Sequence, residues 1–169
     1  MAGQRILARA TLDEHDVTRN RADLTITLMT MLEQGQGTSL IGKTLGIVGE
    51  GPFARELARR ARTELRMEVS IAPADDFEEL FATADVIALA TEGTMPLIAG
   101  PELDRMKDSA SLVNTCAPDL VDQTALAQAL MFDVIAGAAL DVYAQERLDP
   151  LLAQCFGLVT MDRLLPTFS

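Results

Sequence analysis

Two glycines and the residues beside them form the part of this sequence best suited to chemistry. They lie in Gly49-Glu50-Gly51-Pro52-Phe53-Ala54, which follows a short apolar run and precedes a helical pattern. A glycine-rich turn between a strand and a helix brings backbone amides close to a phosphate, and the helix N-terminus favours its negative charge. The loop predicts a dinucleotide site with Gly49, Gly51 and Phe53 as candidate cofactor contacts.

Other features near this loop oppose phosphate binding. Glu50 adds a negative charge, and Pro52 has no N–H to donate. About 20 residues beyond the loop, where a carboxylate would bind the adenosine ribose, the chain has Pro73. Only Asp75 and Asp76 follow it, and these two fit the cap of the next helix as well as they fit a contact with the ribose. The loop is therefore either a cofactor site or a tight turn that binds no ligand.

The remaining reactive side chains form no recognised catalytic or metal-binding pattern. The chain has two cysteines, Cys116 and Cys155, and one histidine, His15. Their spacing fits neither a disulfide framework nor a metal site, so we expect reduced thiols and no metal. Cys116 has no basic neighbour in the sequence, which favours a small buried residue at a strand end over a nucleophile.

The composition limits the classes of partner. With 169 residues, 49% of them hydrophobic, the chain is the size of one compact domain. A net charge of −11 without a basic run argues against nucleic acid and against an anionic membrane surface. No apolar stretch approaches the roughly 18 residues of a spanning helix, and the first residues lack the apolar run of a signal peptide. We expect a cytoplasmic protein.

The elements that must position the glycine loop begin with a long helix. Residues 1–16 show no clear apolar period and predict an extended or frayed N-terminus, whereas residues 17–33 carry an apolar face that Gly35 is placed to end. Because its threonines are weak helix formers, this helix must be held by packing, either on a sheet or on a second subunit. The apolar positions are Leu24, Ile26, Leu28, Met29, Met31 and Leu32.

Beyond a glycine-rich linker, short apolar runs alternate with amphipathic stretches. Continuous apolar strands alternating with helices are typical of a parallel sheet covered on both faces. The sequence therefore predicts an α/β fold, a Rossmann-type doubly wound parallel sheet, within one dinucleotide-binding domain over residues 17–169. The predicted strands are 45–48, 69–71, 86–90, 112–115, 135–140 and 158–160, and the predicted helices are 53–63, 77–82, 102–106 and 123–130.

Several segments, in their order and spacing, resemble the NAD-binding domain of the D-isomer-specific 2-hydroxyacid dehydrogenases, over roughly residues 20 to 165. This resemblance implies NAD(P) dependence, a dimer formed through this domain, and a separate substrate domain built from sequence on both sides. No such flanks are present here, so we expect a stand-alone domain. The segments are Gly42-Lys-Thr-Leu-Gly-Ile-Val-Gly49, Ala84-Asp-Val86, Leu97-Ile98, Glu102-Leu103, Met106-Lys107, Leu112-Val-Asn-Thr115, Leu120-Val-Asp122 and Ile135-Ala-Gly-Ala-Ala-Leu-Asp-Val142.

The resemblance also implies which catalytic positions have changed. Ala117 stands where the family has an arginine that binds the substrate carboxylate. The acid/base histidine is replaced by Asp162, or by Thr167 in a second alignment, and neither supplies an imidazole. Only Glu146 matches the glutamate that orients the histidine, and without that partner a solvated surface carboxylate is favoured. We therefore expect no catalytic residue, with Glu146 as a vestigial candidate.

Three cofactor contacts remain under the resemblance. Asp141 matches the residue that bonds the nicotinamide amide, and Thr115 and Cys116 match backbone contacts near that ring. For Asp141 the alternative is a carboxylate that caps the turn after its strand.

Three functions follow from these expectations. The leading hypothesis is a stand-alone NAD(P)-binding domain without dehydrogenase activity of its own. The second is an interaction protein that has lost cofactor binding and pairs, through the 17–33 helix, with itself or with a full-length relative. The third is an NAD-dependent oxidoreductase completed by another chain.

Overall fold

The computed structural model describes residues 14–93, 95–140 and 158–160, which form a six-stranded parallel sheet with helices on both faces. The strand order is β2-β1-β3-β4-β5-β6. The strands are β1 (Thr44–Val48), β2 (Glu68–Ala72), β3 (Val86–Leu89), β4 (Ser111–Asn114), β5 (Gly137–Leu140) and β6 (Leu158–Thr160). The helices are α1 (Glu14–Gln36), α2 (Pro52–Glu64), α3 (Glu78–Thr83), α4 (Gly100–Arg105) and α5 (Gln123–Met131), with a 3₁₀ turn at Pro118–Leu120.

The sheet forms because its central strands are apolar along their whole length. Every residue of β3, β4 and β5 is buried, which is the pattern of parallel strands covered on both faces. At the edge of the sheet, β2 is instead mostly exposed and begins with a charged residue, Glu68. A charge on an edge strand discourages pairing with another chain.

Side chains from the two faces of the sheet enter two separate cores. Leu45 and Ile47 pack with α1 and α2 on one face. Val48 and Leu89 pack with α3, α4 and α5 on the other. This arrangement confirms the predicted Rossmann-type, doubly wound α/β fold with a long preceding helix.

The strand order places a crevice at one edge of the sheet. The chain passes from β1 through α2 to β2 on one side, and then to β3 on the other side of β1. At such a switch point the loops after the two strands diverge, and ligands of open α/β sheets bind there. The glycine loop after β1 and the segment after β3 border this crevice.

Helix α1 is longer than the predicted 17–33 at both ends. It begins at Glu14, so the helical part includes residues that the sequence placed in a frayed N-terminus. It continues past Gly35 and ends at Gln36, because the turn that closes it is centred on Gly37, whose φ is +65°. The N–H of Gly37 donates to the carbonyl of Gln34 (3.3 Å) and the N–H of Thr38 to that of Glu33 (3.2 Å), which satisfies two carbonyls of the last turn.

The apolar face of α1 packs on its own sheet. Leu28 and Met29 are fully buried, and Ile26 and Leu32 are at most 8% exposed. The helix contacts α2, β4 and β5. Most of this apolar stripe therefore packs on the sheet, which is the first of the two predicted alternatives, while Leu24 and Met31 stay partly exposed. A dimer through this helix stays a prediction.

The bounds of the other elements agree with the predicted ones to within two residues. No helix within the described part of the chain is long and apolar enough to cross a membrane. Across residues 14–93, 95–140 and 158–160, no three His, Cys, Asp or Glu side chains are grouped as metal ligands.

Candidate cofactor site

The loop after β1 depends on glycine at two positions for different reasons. Gly49 has a φ of +125°, and a Cβ there would overlap the carbonyl group of Ala90 at the end of β3. Gly51 has a φ of +114°, but a Cβ there would meet nothing within 4 Å. Gly49 is therefore required by the close approach of two strands, whereas Gly51 leaves open space at the mouth of the crevice.

The first turn of α2 offers amides to this space. Pro52 is the first helical residue and donates none, and the N–H of Arg55 is already bonded to the carbonyl of Gly51 at 3.1 Å. The amides of Phe53 and Ala54 lie between them and precede the first intrahelical hydrogen bond, so the helix does not use them. Two amides at a helix N-terminus remain to meet an anion.

A cleft of about 510 Å³ lies beside the loop, at the carboxyl ends of β1, β3 and β4 and against the start of α1. It has one positive side chain and two negative ones among its described lining residues. Six of these residues matter for its chemistry: Arg21, Glu50, Phe53, Thr91, Glu92 and Cys116.

A smaller cavity of about 230 Å³ adjoins this cleft, and Thr91 and Glu92 line both. Apart from those two residues its lining is largely apolar and includes Ala74, which follows β2. The two cavities thus run along the carboxyl edge of the sheet. The apolar side chains are Met95, Pro96, Leu97 and Leu120.

Hydroxyl groups join α1 to the end of β4. The buried hydroxyls of Thr25 and Thr115 are 2.9 Å apart, and that of Thr25 donates to the carbonyl of Arg21 at 2.8 Å. A hydroxyl has a single proton, so Thr115 is the donor in the bond between the two threonines. The side chain of Thr115 is therefore occupied in packing, and only its backbone is left for a ligand.

Cys116 is held as a neutral thiol. Its Sγ donates to the carbonyl of Leu89 at 3.1 Å, and its N–H donates to Oδ1 of Asn114 at 3.0 Å. Burial raises the pKa of the Cys116 thiol, and the positive charge of Arg21 opposes this rise without cancelling it. Cys116 lies at the strand end as predicted, but it is only partly buried where a buried residue was expected, and it has none of the features of an activated nucleophile.

Two residues of the site, Asn114 and Arg21, were not predicted from the sequence as site residues. Nδ2 of Asn114 donates to the carbonyl of Ala117 at 2.7 Å, so this side chain fixes the turn through Cys116. The guanidinium carbon of Arg21 lies 5.7 Å from the centroid of the Phe53 ring, at the distance of a cation–π contact. Arg21 could have been noticed in the sequence as a basic residue in the first turns of a helix, in a chain that is otherwise strongly acidic.

The predicted site residues fall into two groups. Gly49, Gly51, Phe53, Thr115 and Cys116 come together at the crevice, and their contacts with a cofactor stay predictions. The rest of the predicted cofactor contacts and catalytic positions, Asp141, Glu146, Asp162 and Thr167, lie outside the described residues.

Asp75 and Asp76 do not cap helix α3, whereas a contact of either with the adenosine ribose stays a prediction. They are exposed in the turn after β2, and it is Ala74 that lines the smaller cavity. Helix α3 is capped by Phe77 with no side-chain hydrogen bond, so the capping interpretation is wrong. The backbone turns before the helix, with the N–H of Asp76 bonded to the carbonyl of Pro73, and both carboxylates precede the cap position.

These features fit a dinucleotide. Open space above Gly51, the two amides of α2 and the guanidinium of Arg21 suit the phosphates, and the adjoining apolar cavity suits a base. Glu50 and Glu92 repel the same phosphates, and the positive charge of Arg21 opposes this repulsion.

Comparisons with known proteins agree with this geometry. Residues 8–165 match the family model for the D-isomer specific 2-hydroxyacid dehydrogenase, NAD binding domain. A glycerate dehydrogenase of Methylorubrum extorquens is 41% identical over 116 residues, which are 63% of this chain and 37% of that protein. A (S)-sulfolactate dehydrogenase of Chromohalobacter salexigens is 39% identical over 143 residues, 73% of this chain and 46% of that protein.

Solved structures give the same result for the fold. The TT0316 protein of Thermus thermophilus superposes with a TM-score of 0.76 at 30% identity, covering 85% of this chain and 57% of that one. The apo D-mandelate dehydrogenase of Rhodotorula graminis superposes with a TM-score of 0.75 over 85% of this chain and 55% of that one, at an identity of 22% that speaks for the fold alone.

The family match covers nearly the whole sequence, and the chain spans less than half the length of the two curated relatives described above. This chain belongs to the D-isomer specific 2-hydroxyacid dehydrogenase family, as an NAD-binding domain.

Proposed function

We propose that this chain binds NAD⁺ or NADH across the carboxyl edge of its sheet. The observation that carries the proposal is the loop at Gly51, where a positive φ, open space and the free amides of Phe53 and Ala54 coincide. The pyrophosphate lies at that loop. The adenine lies in the apolar cavity between Ala74 and Leu120, and the nicotinamide half lies in the larger cleft beside Cys116.

The end of β4 shapes the nicotinamide half of the cleft. Asn114 holds the turn at Cys116 and Ala117, and the bond between Thr25 and Thr115 keeps α1 against it. These contacts fix the backbone of Thr115 and Cys116 at the border of the cleft. The bound cofactor supplies a ring carbon that accepts or donates a hydride; the residues named here bind it and hold its orientation.

We further propose that the chain has no dehydrogenase activity of its own. Ala117, where the family resemblance calls for a carboxylate-binding arginine, is a neutral residue whose carbonyl is bonded to Asn114. Hydride transfer requires a substrate held within about 3 to 3.5 Å of the donor carbon. A neutral side chain at that position gives a 2-oxoacid carboxylate no charge to bind.

Isothermal titration of the 169-residue chain with NAD⁺ and NADH tests the first proposal. Gly51→Asp is expected to abolish saturable binding, because it adds strain and a negative charge where the phosphates lie. Gly42→Asp is the control: Gly42 also has a positive φ and open space around its Cβ position, but it precedes β1 at the opposite edge of the sheet. Equal binding by the wild-type chain and Gly51→Asp would contradict the proposal.

The second proposal is tested by NADH oxidation with glyoxylate and hydroxypyruvate as trial 2-oxoacids. We expect no consumption of NADH above the rate without protein, in the same preparation that binds NADH by titration. A robust rate with the purified chain would contradict it. A rate that appears only after addition of a second protein would favour completion of the active site by another chain.

A further inference from the structure

The phosphate end of the cleft carries an unfavourable charge balance. Glu50 and Glu92 line the cleft, and both are exposed to it. Pro52 removes one of the amides that would otherwise face the ligand. A pyrophosphate brings further negative charge, so binding there requires a positive group close to the loop.

Arg21 is positioned to supply that charge. Its side chain is half-buried and lines the cleft. Its guanidinium carbon lies 5.7 Å from the centre of the ring of Phe53, the residue that also contributes a free amide. It forms no ion pair with any side chain of the described residues. A guanidinium that is stacked on an aromatic ring and faces a cleft keeps its hydrogen-bond donors for a ligand.

The backbone that carries Arg21 is also fixed. The carbonyl of Arg21 accepts the hydroxyl of Thr25, which in turn accepts the hydroxyl of Thr115 at the end of β4. One chain of hydrogen bonds therefore links this turn of α1 to the strand end that borders the nicotinamide half of the cleft. Such a fixed position lowers the entropy lost when a ligand binds.

The neighbouring arginines are engaged elsewhere. Arg59 pairs with Glu56 at 2.8 Å, and Arg60 pairs with Glu64 and Asp23. Arg55 lines a separate groove of about 420 Å³ between the first turns of α1 and α2 and does not line the cleft. Among the described residues, Arg21 is thus the cation available to the cleft.

We propose that Arg21 anchors the pyrophosphate of the cofactor, in place of the amide lost at Pro52 and against the charge of Glu50. The inference rests on the proposed function, because it assigns a residue to the same site. The positive charge that binds the phosphates comes from α1, a helix outside the strand-loop-helix unit that carries the glycines.

The test measures the affinity of the wild-type chain and of Arg21→Gln for NAD⁺, ADP-ribose and adenosine by isothermal titration. Loss of a charge-assisted contact is expected to weaken NAD⁺ and ADP-ribose by the same factor, about ten- to a hundredfold, and to leave adenosine unchanged. Arg21→Lys is expected to recover part of the affinity, since lysine keeps the charge and loses the planar stacking.

Arg55→Gln is the matched control. It removes the same charge from the first turn of α2 without changing the lining of the cleft, and we expect ADP-ribose affinity within about twofold of wild type, because exposed charges are screened. Arg21→Met, which keeps an unbranched stem over the Phe53 ring, checks that any loss does not come from packing. It is expected to behave as Arg21→Gln does.

The outcomes separate this inference from the proposed function. If the wild-type chain binds NAD⁺, and Arg21→Gln binds ADP-ribose as tightly as the wild type does, the proposed anchor is wrong and the cofactor site stands. An equal loss in Arg55→Gln would also overturn the anchor, since it would show only a general effect of charge. If the wild-type chain binds neither NAD⁺ nor ADP-ribose, the proposed function fails, and the anchor fails with it.

Discussion

At the scale of single residues, Glu50 is the clearest departure from a favourable phosphate loop. It is exposed beside the space above Gly51 and has no compensating partner among the described side chains. Glu50→Gln is therefore expected to raise the affinity for NAD⁺ about two- to fivefold at low salt, and less at high salt because exposed charges are screened. Isothermal titration at two salt concentrations measures both effects.

The control for this change is Glu68→Gln. Glu68 is also exposed, but it begins β2 at the amino edge of the sheet, away from the cleft. We expect no change in affinity there. An equal gain in the two variants would mean that the net charge of −11, rather than the local charge of Glu50, limits binding.

Cys116 gives a second prediction at the same scale. Burial raises the pKa of its thiol, so at any given pH it holds less thiolate than an exposed cysteine does. Its alkylation by iodoacetamide should be several-fold slower than that of glutathione near pH 8. The rate should continue to climb at pH values where glutathione has levelled off.

The measurement uses a Cys155→Ser background, so that mass spectrometry follows a single thiol. Rapid labelling of Cys116 at neutral pH would contradict the hydrogen bond from its Sγ to the carbonyl of Leu89.

At the scale of secondary-structure elements, the attachment of α1 to β4 rests on one pair of buried hydroxyls. Thr25→Val leaves the hydroxyl of Thr115 buried without its acceptor, and we expect a loss of about 1–3 kcal/mol in the free energy of unfolding. Thr115→Val should cost less, because the hydroxyl of Thr25 keeps its bond to the carbonyl of Arg21. Urea denaturation of both variants measures the difference.

The double variant completes the cycle. With both hydroxyls replaced by methyl groups no donor is left unpaired, so the combined loss should be smaller than the sum of the two single losses. Strict additivity would mean that the two hydroxyls do not interact in solution.

At the scale of the whole molecule, α1 belongs to the core of one chain. Leu28 is fully buried against that chain's own sheet, so Leu28→Ala should lower the free energy of unfolding by about 2–5 kcal/mol, whatever the protein concentration. The exposed neighbour Thr27 is the control, and Thr27→Ala should change stability by no more than about 0.5 kcal/mol. Thermal unfolding over a wide range of concentration provides the measurement.

The same experiment bears on assembly. If the loss at Leu28→Ala disappeared at high protein concentration, the apolar face of α1 would be a subunit contact after all. The homodimer, or a pair with a full-length relative, stays a prediction, and light scattering after gel filtration would detect either species.

The sequence by itself determined the fold class and the position of the nucleotide loop. Both depend on local patterns: continuous apolar strands, helical periods between them, and glycines directly after β1 at positions where the backbone needs a positive φ. It also indicated that Cys116 is an unactivated residue. These properties follow from neighbours in the chain, which a sequence contains.

Only the tertiary structure decided what covers the apolar face of α1 and which cation faces the cleft. Arg21 meets Phe53 and Thr25 meets Thr115 across separations of 32 and 90 residues. An apolar stripe has the same pattern whether a sheet or a second subunit covers it, and an arginine has the same sequence signal whether or not it faces a ligand. The sheet packing settles both, because it sets the distance between side chains that are far apart in sequence.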